Sequence, residues 1–198
     1  MGGMVSRVES AAATRHALVE AAAELLDEGG PGAVTLRAVG TRAGVSRGAP
    51  YGHFRDKEYL LSAVAAKSWA QVGDDLATVI AQERLSPIER LEHALSGLMR
   101  IGQERPHTYA LMFSAPAVAS TDAIAAVSRT HDQFLAVVED AIGDPQRARP
   151  VGAMLMTSVH GIIGFGNGGH LDVRKWHVTA EQLLEMSIRA ATAPPAAP

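Results

Sequence analysis

The stretch GVSRGAPYGHF, at residues 44–54, sets an arginine, a tyrosine and a histidine among small residues. An arginine such as Arg47 can donate two parallel hydrogen bonds to the O6 and N7 atoms of a guanine. Tyr51 and His53 carry donors that suit phosphate oxygens. The small residues that would let this backbone approach base edges closely are Gly48, Ala49 and Gly52. The chemistry that the stretch offers is therefore contact with the bases and phosphates of DNA.

Positive charge is concentrated around the same stretch. The chain of 198 residues has a formal net charge of −3, but residues 35–57 carry five basic side chains and one acidic one. Residues 58–198 carry 11 basic and 15 acidic side chains. This asymmetry favours a small polyanion-binding head on an acidic body. A chance cluster of solvated charges is the alternative interpretation.

Two short helices are predicted to position the stretch. Thr35 has the chemistry of a helix N-cap, and Gly44 has that of a helix terminator, so a short helix is expected between them. Ser46 can cap the next helix, from about residue 47 to residue 53. Two short helices joined by the turn at residues 43–45 have the form of a helix-turn-helix, whose second helix enters the major groove of DNA.

The rest of the chain is also predicted to be helical. Apolar residues recur at spacings of three and four, and no stretch alternates as a strand does. A first helix, with its stripe at residues 18–26, should end at the breakers of residues 29–32, and a helix of about 25 residues should start at Asp56. Further helices are expected from Pro87 to just before Pro106, around 109–113 up to near Pro116, and over about 124–142, 151–163 and 179–192. The fold class is therefore all-α, with residues 194–198 as a disordered tail.

Residues 34–64, VTLRAVGTRAGVSRGAPYGHFRDKEYLLSAV, resemble the DNA-binding head of the TetR/AcrR family of transcriptional regulators. The matching positions are Thr35, the turn Ala43-Gly44-Val45, Ser46, Tyr51, His53-Phe54, Lys57-Glu58 and Leu60-Leu61. Two residues depart from the family pattern: Pro50 stands where leucine or isoleucine is more usual, and Gly52 where a larger residue often contacts the DNA backbone. The body resembles, much less specifically, a subclass with an early Trp and a later His-Gly pair, here Trp69 and His160-Gly161.

The resemblance implies a homodimer that reads a near-palindromic operator through two heads, and a helical body that binds a small apolar or amphipathic effector. Because most members of the family repress transcription, we expect a repressor. The expected domains are a three-helix DNA-binding head at residues 1–55 and an effector-binding and dimerising body at residues 56–193, in which helices near 147–165 and 179–192 pair with their mates. The residues expected to contact DNA are Thr35, Arg37, Ser46, Arg47, Gly48, Ala49, Tyr51, His53 and Lys57.

Apolar and aromatic residues of the body are candidates for the effector pocket. They are Trp69, Met112, Phe113, Met154, Met156 and His160. Methionine side chains adapt to ligands of varied shape. The alternative for each of them is an ordinary place in the core, and for His160 a hydrogen bond to a neighbouring group.

Other functional classes receive little support from the sequence. Gly164, Gly166 and Gly169 spell GxGxxG, but that pattern binds a dinucleotide only between a strand and a helix, and here it follows a helical stripe. The chain has no cysteine, P-loop lysine or HExxH motif, so we expect no catalytic residue, metal site or cofactor. We see no membrane span or signal peptide and expect a cytoplasmic protein. Two alternatives stay open: a helical-bundle enzyme with a vestigial DNA-binding head, and a protein-interaction module that offers its basic head to an acidic partner.

Overall fold

The computed structural model describes residues 2–114 and 121–193, with side chains from residue 9 onward. These residues form ten α-helices and no β-strand, which confirms the predicted all-α fold class. In chain order the helices are α1 (Gly2–Ala33), α2 (Leu36–Arg42), α3 (Ala49–His53), α4 (Lys57–Ile80), α5 (Pro87–Glu104), α6 (Pro106–Phe113), α7 (Thr121–Ile142), α8 (Pro145–Asn167), α9 (Val173–Trp176) and α10 (Ala180–Thr192). None of the helices described in this way combines the length and the apolar character that crossing a membrane requires.

The helices belong to two compact units. Of the described residues, the first unit contains 2–69, 107–114 and 121–126, so α6 belongs with α1, α2, α3 and the start of α4. The second unit contains the described residues 70–106 and 127–193, with α5, α8, α9, α10 and the remaining parts of α4 and α7. The functional boundary expected after residue 55 stays a prediction.

The break that the sequence predicts after the first apolar stripe is a kink within α1. Gly29 has a φ of −141° and Gly30 a φ of +68°, so the helix is interrupted there before its last turn. Thr35 Oγ1 accepts a hydrogen bond from Ala38 N at 3.1 Å and caps α2 as predicted. Gly44, with a φ of +66°, follows α2 in the left-handed conformation that glycine adopts without steric cost.

The third helix begins later than the sequence predicts. Its N-cap is a glycine, and no side chain caps it. The prediction that Ser46 caps this helix is wrong: the backbone N of residue 49 donates instead to the Ser46 carbonyl oxygen at 3.0 Å, which makes residues 46–49 a turn. Pro50 has a fixed φ and no N–H, so it suits a helix start, and α3 begins beside it. Arg47 consequently lies in the turn that leads into α3, and not at the front of the helix.

A cluster of buried apolar side chains forms a core of the first unit. Its fully or almost fully buried members include Leu18, Leu26, Val34, Val39, Phe54, Leu60 and Val64. Asp56 Oδ1 accepts a hydrogen bond from Tyr59 N at 3.1 Å, and the α4 helix that follows has 24 residues, close to the predicted length. Thr108 of α6 is fully buried and donates to Asp27 of α1 at 2.6 Å. This hydrogen bond joins α6 to the helix that carries much of the core.

The second unit is built on α8, which packs against α5 and α10. Its buried side chains include Leu91, Leu95, Leu155, Val159, Leu184 and Ile188. Ser86 and Thr179 cap α5 and α10, and these helices begin close to the predicted starts at residues 87 and 179. Gly164 and Gly166 lie within α8 and Gly169 lies just beyond it, so the GxGxxG pattern marks the end of a helix.

Two parts of the chain differ from the prediction or lie beyond it. The four-residue helix α9 is not signalled by any apolar stripe. The tail predicted at residues 194–198 lies outside the described residues, as does Pro116, near which α6 was expected to end.

Candidate nucleic-acid interface

A tight turn joins α2 to α3 and forms the predicted helix-turn-helix. Val45 N donates to the Gly40 carbonyl oxygen at 3.1 Å, which ties the turn back onto α2. Ala43 and Val45 pack against the core of the first unit. The turn therefore holds α3 in place from its buried side.

The short helix α3 has a buried side and an exposed side. Pro50 is buried, and Phe54, directly after the helix, is 4% exposed. Tyr51 is 62% exposed, and Gly48 and Gly52 are exposed as well. A Cβ atom on either glycine would meet no atom within 4 Å. The outer surface of α3 is thus low and open, apart from one projecting tyrosine.

Arg37 and Arg47 are the basic side chains near the turn that remain unpaired among the described residues. Both are exposed, and neither side chain has a hydrogen bond or an ion pair there. Arg55, by contrast, pairs with Asp56 at 3.0 Å and lies 4.3 Å from the centre of the Tyr59 ring. Arg37 and Arg47 can therefore turn towards a polyanion without breaking a contact.

Arg42, at the end of α2, is held by two glutamates of α1. Its guanidinium donates to the two carboxylate oxygens of Glu28 at 2.9 and 2.7 Å and to Glu24 at 3.1 Å. The hydrogen bond from Arg42 lowers the pKa of Glu28 below its ordinary value, and the carboxylates raise the pKa of Arg42. Paired arginine–carboxylate hydrogen bonds of this kind fix orientation as well as charge. Arg42 thus anchors α2 to α1, and its charge is already neutralised within the protein.

Two of the predicted DNA contacts also hold the first unit together. Lys57 is partly buried, and its Nζ donates to the Pro31 carbonyl oxygen beyond the α1 kink. Thr35 is exposed, but its hydroxyl oxygen is engaged as the cap of α2. Of the other predicted positions, Ser46 is exposed, and Ala49 and His53 are partly buried.

Arg15 of α1 is a basic residue beside this surface that the sequence reasoning missed. It is exposed, and its guanidinium carbon lies 5.2 Å from the centre of the Phe54 ring. A cation over an aromatic face is held there by the ring quadrupole. Arg15 therefore adds positive charge next to the end of α3. It lies outside the motif, so the sequence contains no local signal for it.

Three predicted effector contacts form an aromatic cluster in the first unit. Trp69 Nε1 donates to the Met112 carbonyl oxygen at 3.1 Å, and the Trp69 and Phe113 rings meet edge to face at 5.0 Å. The Tyr109 ring lies 4.7 Å from that of Phe113. Burial raises the pKa of the Tyr109 hydroxyl. This aromatic cluster, Trp69, Tyr109, Met112 and Phe113, links α4 to α6.

The other three predicted effector contacts lie on α8 in the second unit. His160 Nδ1 is 3.0 Å from the carbonyl oxygen of Met156, one turn earlier, and both residues are partly buried. Met154 is 44% exposed, and its place two residues before Met156 puts it on a different side of the helix. The helix therefore does not bring Met154 to the same surface as Met156 and His160. Within residues 9–114 and 121–193, no three side chains of metal-binding type lie together.

Comparison with known proteins gives matches to family models and to solved structures. Residues 18–64 match the model of bacterial regulatory proteins of the tetR family, and residues 91–191 match a tetracyclin repressor-like C-terminal domain. Similar solved structures include a protein of unknown function from Rhodococcus sp. RHA1, with 22% identity and a TM-score of 0.76 over 90% of this chain and 93% of that one. A TetR family transcription regulator from Marinobacter aquaeolei VT8 has 20% identity and a TM-score of 0.62 over 93% of this chain and 97% of its own. A complex of SmeT with triclosan has 21% identity and a TM-score of 0.60 over 94% and 97%. No curated protein matches the sequence.

Proposed function

Because the chain belongs to the TetR family of bacterial transcription regulators, we propose that it is a homodimeric repressor that binds a near-palindromic operator and is released by a small apolar or amphipathic effector. The observation that carries the proposal is the surface of α3 and the turn before it, where Arg47 and Tyr51 project from an open backbone and Arg47 has no partner among the described residues.

The exposed side of α3 suits the major groove of DNA. Arg47 can donate to both acceptors of a guanine, and Tyr51 can donate to a phosphate. Arg37 and Arg15, on neighbouring helices, supply charge for phosphates without losing an ion pair. In this proposal Arg47 carries sequence preference, while the other cations carry affinity that depends on salt.

The proposed dimer forms through the outer faces of α8 and α10. Met154 and Phe165 on α8 are 44% and 43% exposed, and Met186 on α10 is 57% exposed. Gly161 and Gly164, between the two large α8 residues, would meet no atom within 4 Å if they carried a Cβ. Exposed apolar residues beside such open positions favour close packing against another helix. Two-fold symmetry would then set two heads about one DNA turn, or a small multiple of it, apart.

We propose that the effector contacts the aromatic cluster of Trp69, Tyr109, Met112 and Phe113. Aromatic rings and a methionine offer an apolar surface with few polar demands. The similar structure of SmeT was solved with triclosan bound, which supports a small-molecule ligand for this fold. A role for Met156 and His160 in the same binding event stays a prediction.

Release from DNA requires the effector to bind one arrangement of the heads better than the other. A differential affinity of about 3 kcal/mol changes operator occupancy roughly a hundredfold. The helix α4 is the proposed transmitter, because its 24 residues run from the first unit into the second. The cluster tryptophan, Trp69, lies on this helix.

Selection of bound DNA from a random pool, repeated at several salt concentrations, tests the proposed function. A repressor of this type should enrich a symmetric site, and its affinity should fall steeply as salt rises. The enriched site, cloned upstream of a reporter gene, should then lower expression when the protein is present. Binding without enrichment of any sequence would favour the protein-interaction module, and turnover in a substrate panel would favour the enzyme.

A further inference from the structure

Gly40 and Pro50 meet at the point where α2 and α3 approach each other. Gly40 is buried in α2, and Pro50 is buried in the first turn of α3. A Cβ atom on Gly40 would lie 2.8 Å from Pro50 Cγ and 3.4 Å from Pro50 Cδ. Non-bonded carbon atoms settle at about 3.5–4.0 Å. A larger residue at position 40 would therefore push α3 outward by about 1 Å.

Pro50 suits the start of α3, but Gly40 is not explained by its own helix. Gly40 is not among the glycines with positive φ, and a glycine inside a helix is less favourable than an alanine. Pro50 stands where the family pattern has a branched aliphatic residue. The contact explains both of them, because the proline ring occupies the space that a Cβ on Gly40 would need.

The contact also bears on the DNA-reading side chains. Pro50 lies three residues after Arg47 and directly before Tyr51. Its ring is joined to the backbone, so a push on the ring moves the backbone and not a flexible side chain. The Pro50 carbonyl oxygen accepts the hydrogen bond from Phe54 N, at 2.9 Å, that closes α3. Displacing Pro50 would therefore displace the whole short helix.

We propose that Gly40 and Pro50 are positioning residues for operator specificity: their contact sets how far α3 stands out from α2, and so which base pair Arg47 reaches while Tyr51 contacts a phosphate. The pair acts through α3 and does not itself touch DNA. This inference rests on the proposed DNA-binding function.

The test compares the full-length parent with Gly40→Ala, Pro50→Ala and the double variant. The readout is the ratio of the dissociation constants for random DNA and for the operator selected by the parent. Gly40→Ala should lower this ratio about tenfold or more, the scale on which one base contact discriminates. Its affinity for random DNA should stay within about twofold, because phosphate contacts carry no sequence information. The double variant lacks the proline ring, so its ratio of dissociation constants should return most of the way to the parent's value.

Gly97→Ala is the matched control. Gly97 lies on α5, and a Cβ there would meet no atom within 4 Å. The Gly97→Ala substitution should leave the dissociation constants for operator and for random DNA unchanged. Circular dichroism measures the folded fraction of each variant.

Three outcomes would overturn the inference. The first is an unchanged ratio in a folded Gly40→Ala protein. The second is an equal loss of affinity for both DNAs in proportion to the folded fraction, which is the mark of a purely structural role. If Gly40→Ala does not fold, the Pro50→Ala variant provides the test. We expect Pro50→Ala to select a half-site different from that of the parent. The third outcome that would overturn the inference is that Pro50→Ala selects the same half-site as the parent. A parent that prefers no sequence would instead defeat the proposed function, and the inference with it.

Discussion

Replacing Arg47 by alanine should remove base discrimination and leave the fold intact. Arg47 is exposed and makes no hydrogen bond or ion pair with the described residues, so the variant should melt like the parent. One bidentate arginine–guanine contact discriminates by about 1–3 kcal/mol. The proposed homodimer makes the contact twice, so the operator complex should lose about 2–6 kcal/mol if the half-sites act independently. Even the lower figure is a loss of about 30-fold in affinity.

Fluorescence anisotropy titrations with operator and random duplexes of equal length measure this effect. The titrations are repeated between about 50 and 200 mM salt, because the slope of log K against log salt counts phosphate contacts. If Arg47 contacts a base, the slope for random DNA should not change. If it neutralises a phosphate, the slope should fall in magnitude by about 0.9 for each arginine, or about 1.8 for the dimer.

Arg100→Ala is the control for charge alone. Arg100 is exposed on α5, outside the helix-turn-helix, and its removal changes the net charge by the same amount. Its operator and random-DNA affinities should match those of the parent. Unchanged operator preference in Arg47→Ala would refute the base-reading role. An equal loss on both duplexes, with a reduced salt slope, would assign Arg47 to phosphate.

Three further predictions concern the contacts around the interface. Lys57→Ala should lower the affinity for operator and random DNA by the same factor in gel shifts. It should also lower the melting temperature, because the Lys57 ammonium donates a hydrogen bond to a carbonyl oxygen of α1. An unchanged melting temperature would contradict this structural role of Lys57. Thr108→Val should reduce the free energy of unfolding in urea by about 1.5–3 kcal/mol, because it removes the hydroxyl that donates to the Asp27 carboxylate. Because Arg42 depresses the folded-state pKa of Glu28, their pairing stabilises the protein above the ordinary carboxyl pKa and is lost as pH falls through the lowered value. Thermal melts between about pH 3 and 6 should show a flatter profile for Glu28→Gln, and an identical profile would contradict the assignment.

Helix boundaries set by neighbouring residues could be predicted closely. The caps Thr35, Ser86 and Thr179 each accept a hydrogen bond from a backbone N–H three residues ahead. Such bonds depend on residues that any window of the sequence contains. The same reasoning failed at Ser46, because Pro50 moved the helix start towards itself. Ser46 favours a helix that starts at residue 47, and Pro50 favours one that starts beside residue 50. The separate propensities of the two residues do not show which start is adopted.

The candidate site was less predictable, because it depends on which side chains find partners. In the sequence alone, nothing distinguishes the five basic residues around the motif from one another. The structure pairs Arg42 with glutamates 14 and 18 residues earlier and Lys57 with a carbonyl 26 residues earlier. It leaves Arg37 and Arg47 unpaired among the described residues and sets Arg15 over the Phe54 ring. No spacing rule within the motif contains this information.

Local sequence is enough to specify the longer helices, the turn at Gly44 and the composition of the α3 surface, because each of these arises from hydrogen bonds and apolar contacts within a few residues. Other features depend on packing between distant segments: α6 joins the first unit through a hydrogen bond between residues 81 positions apart, and α3 stands where the Gly40–Pro50 contact allows. Such contacts depend on how whole helices pack together. The sequence around each of these residues therefore does not indicate which distant residue it contacts.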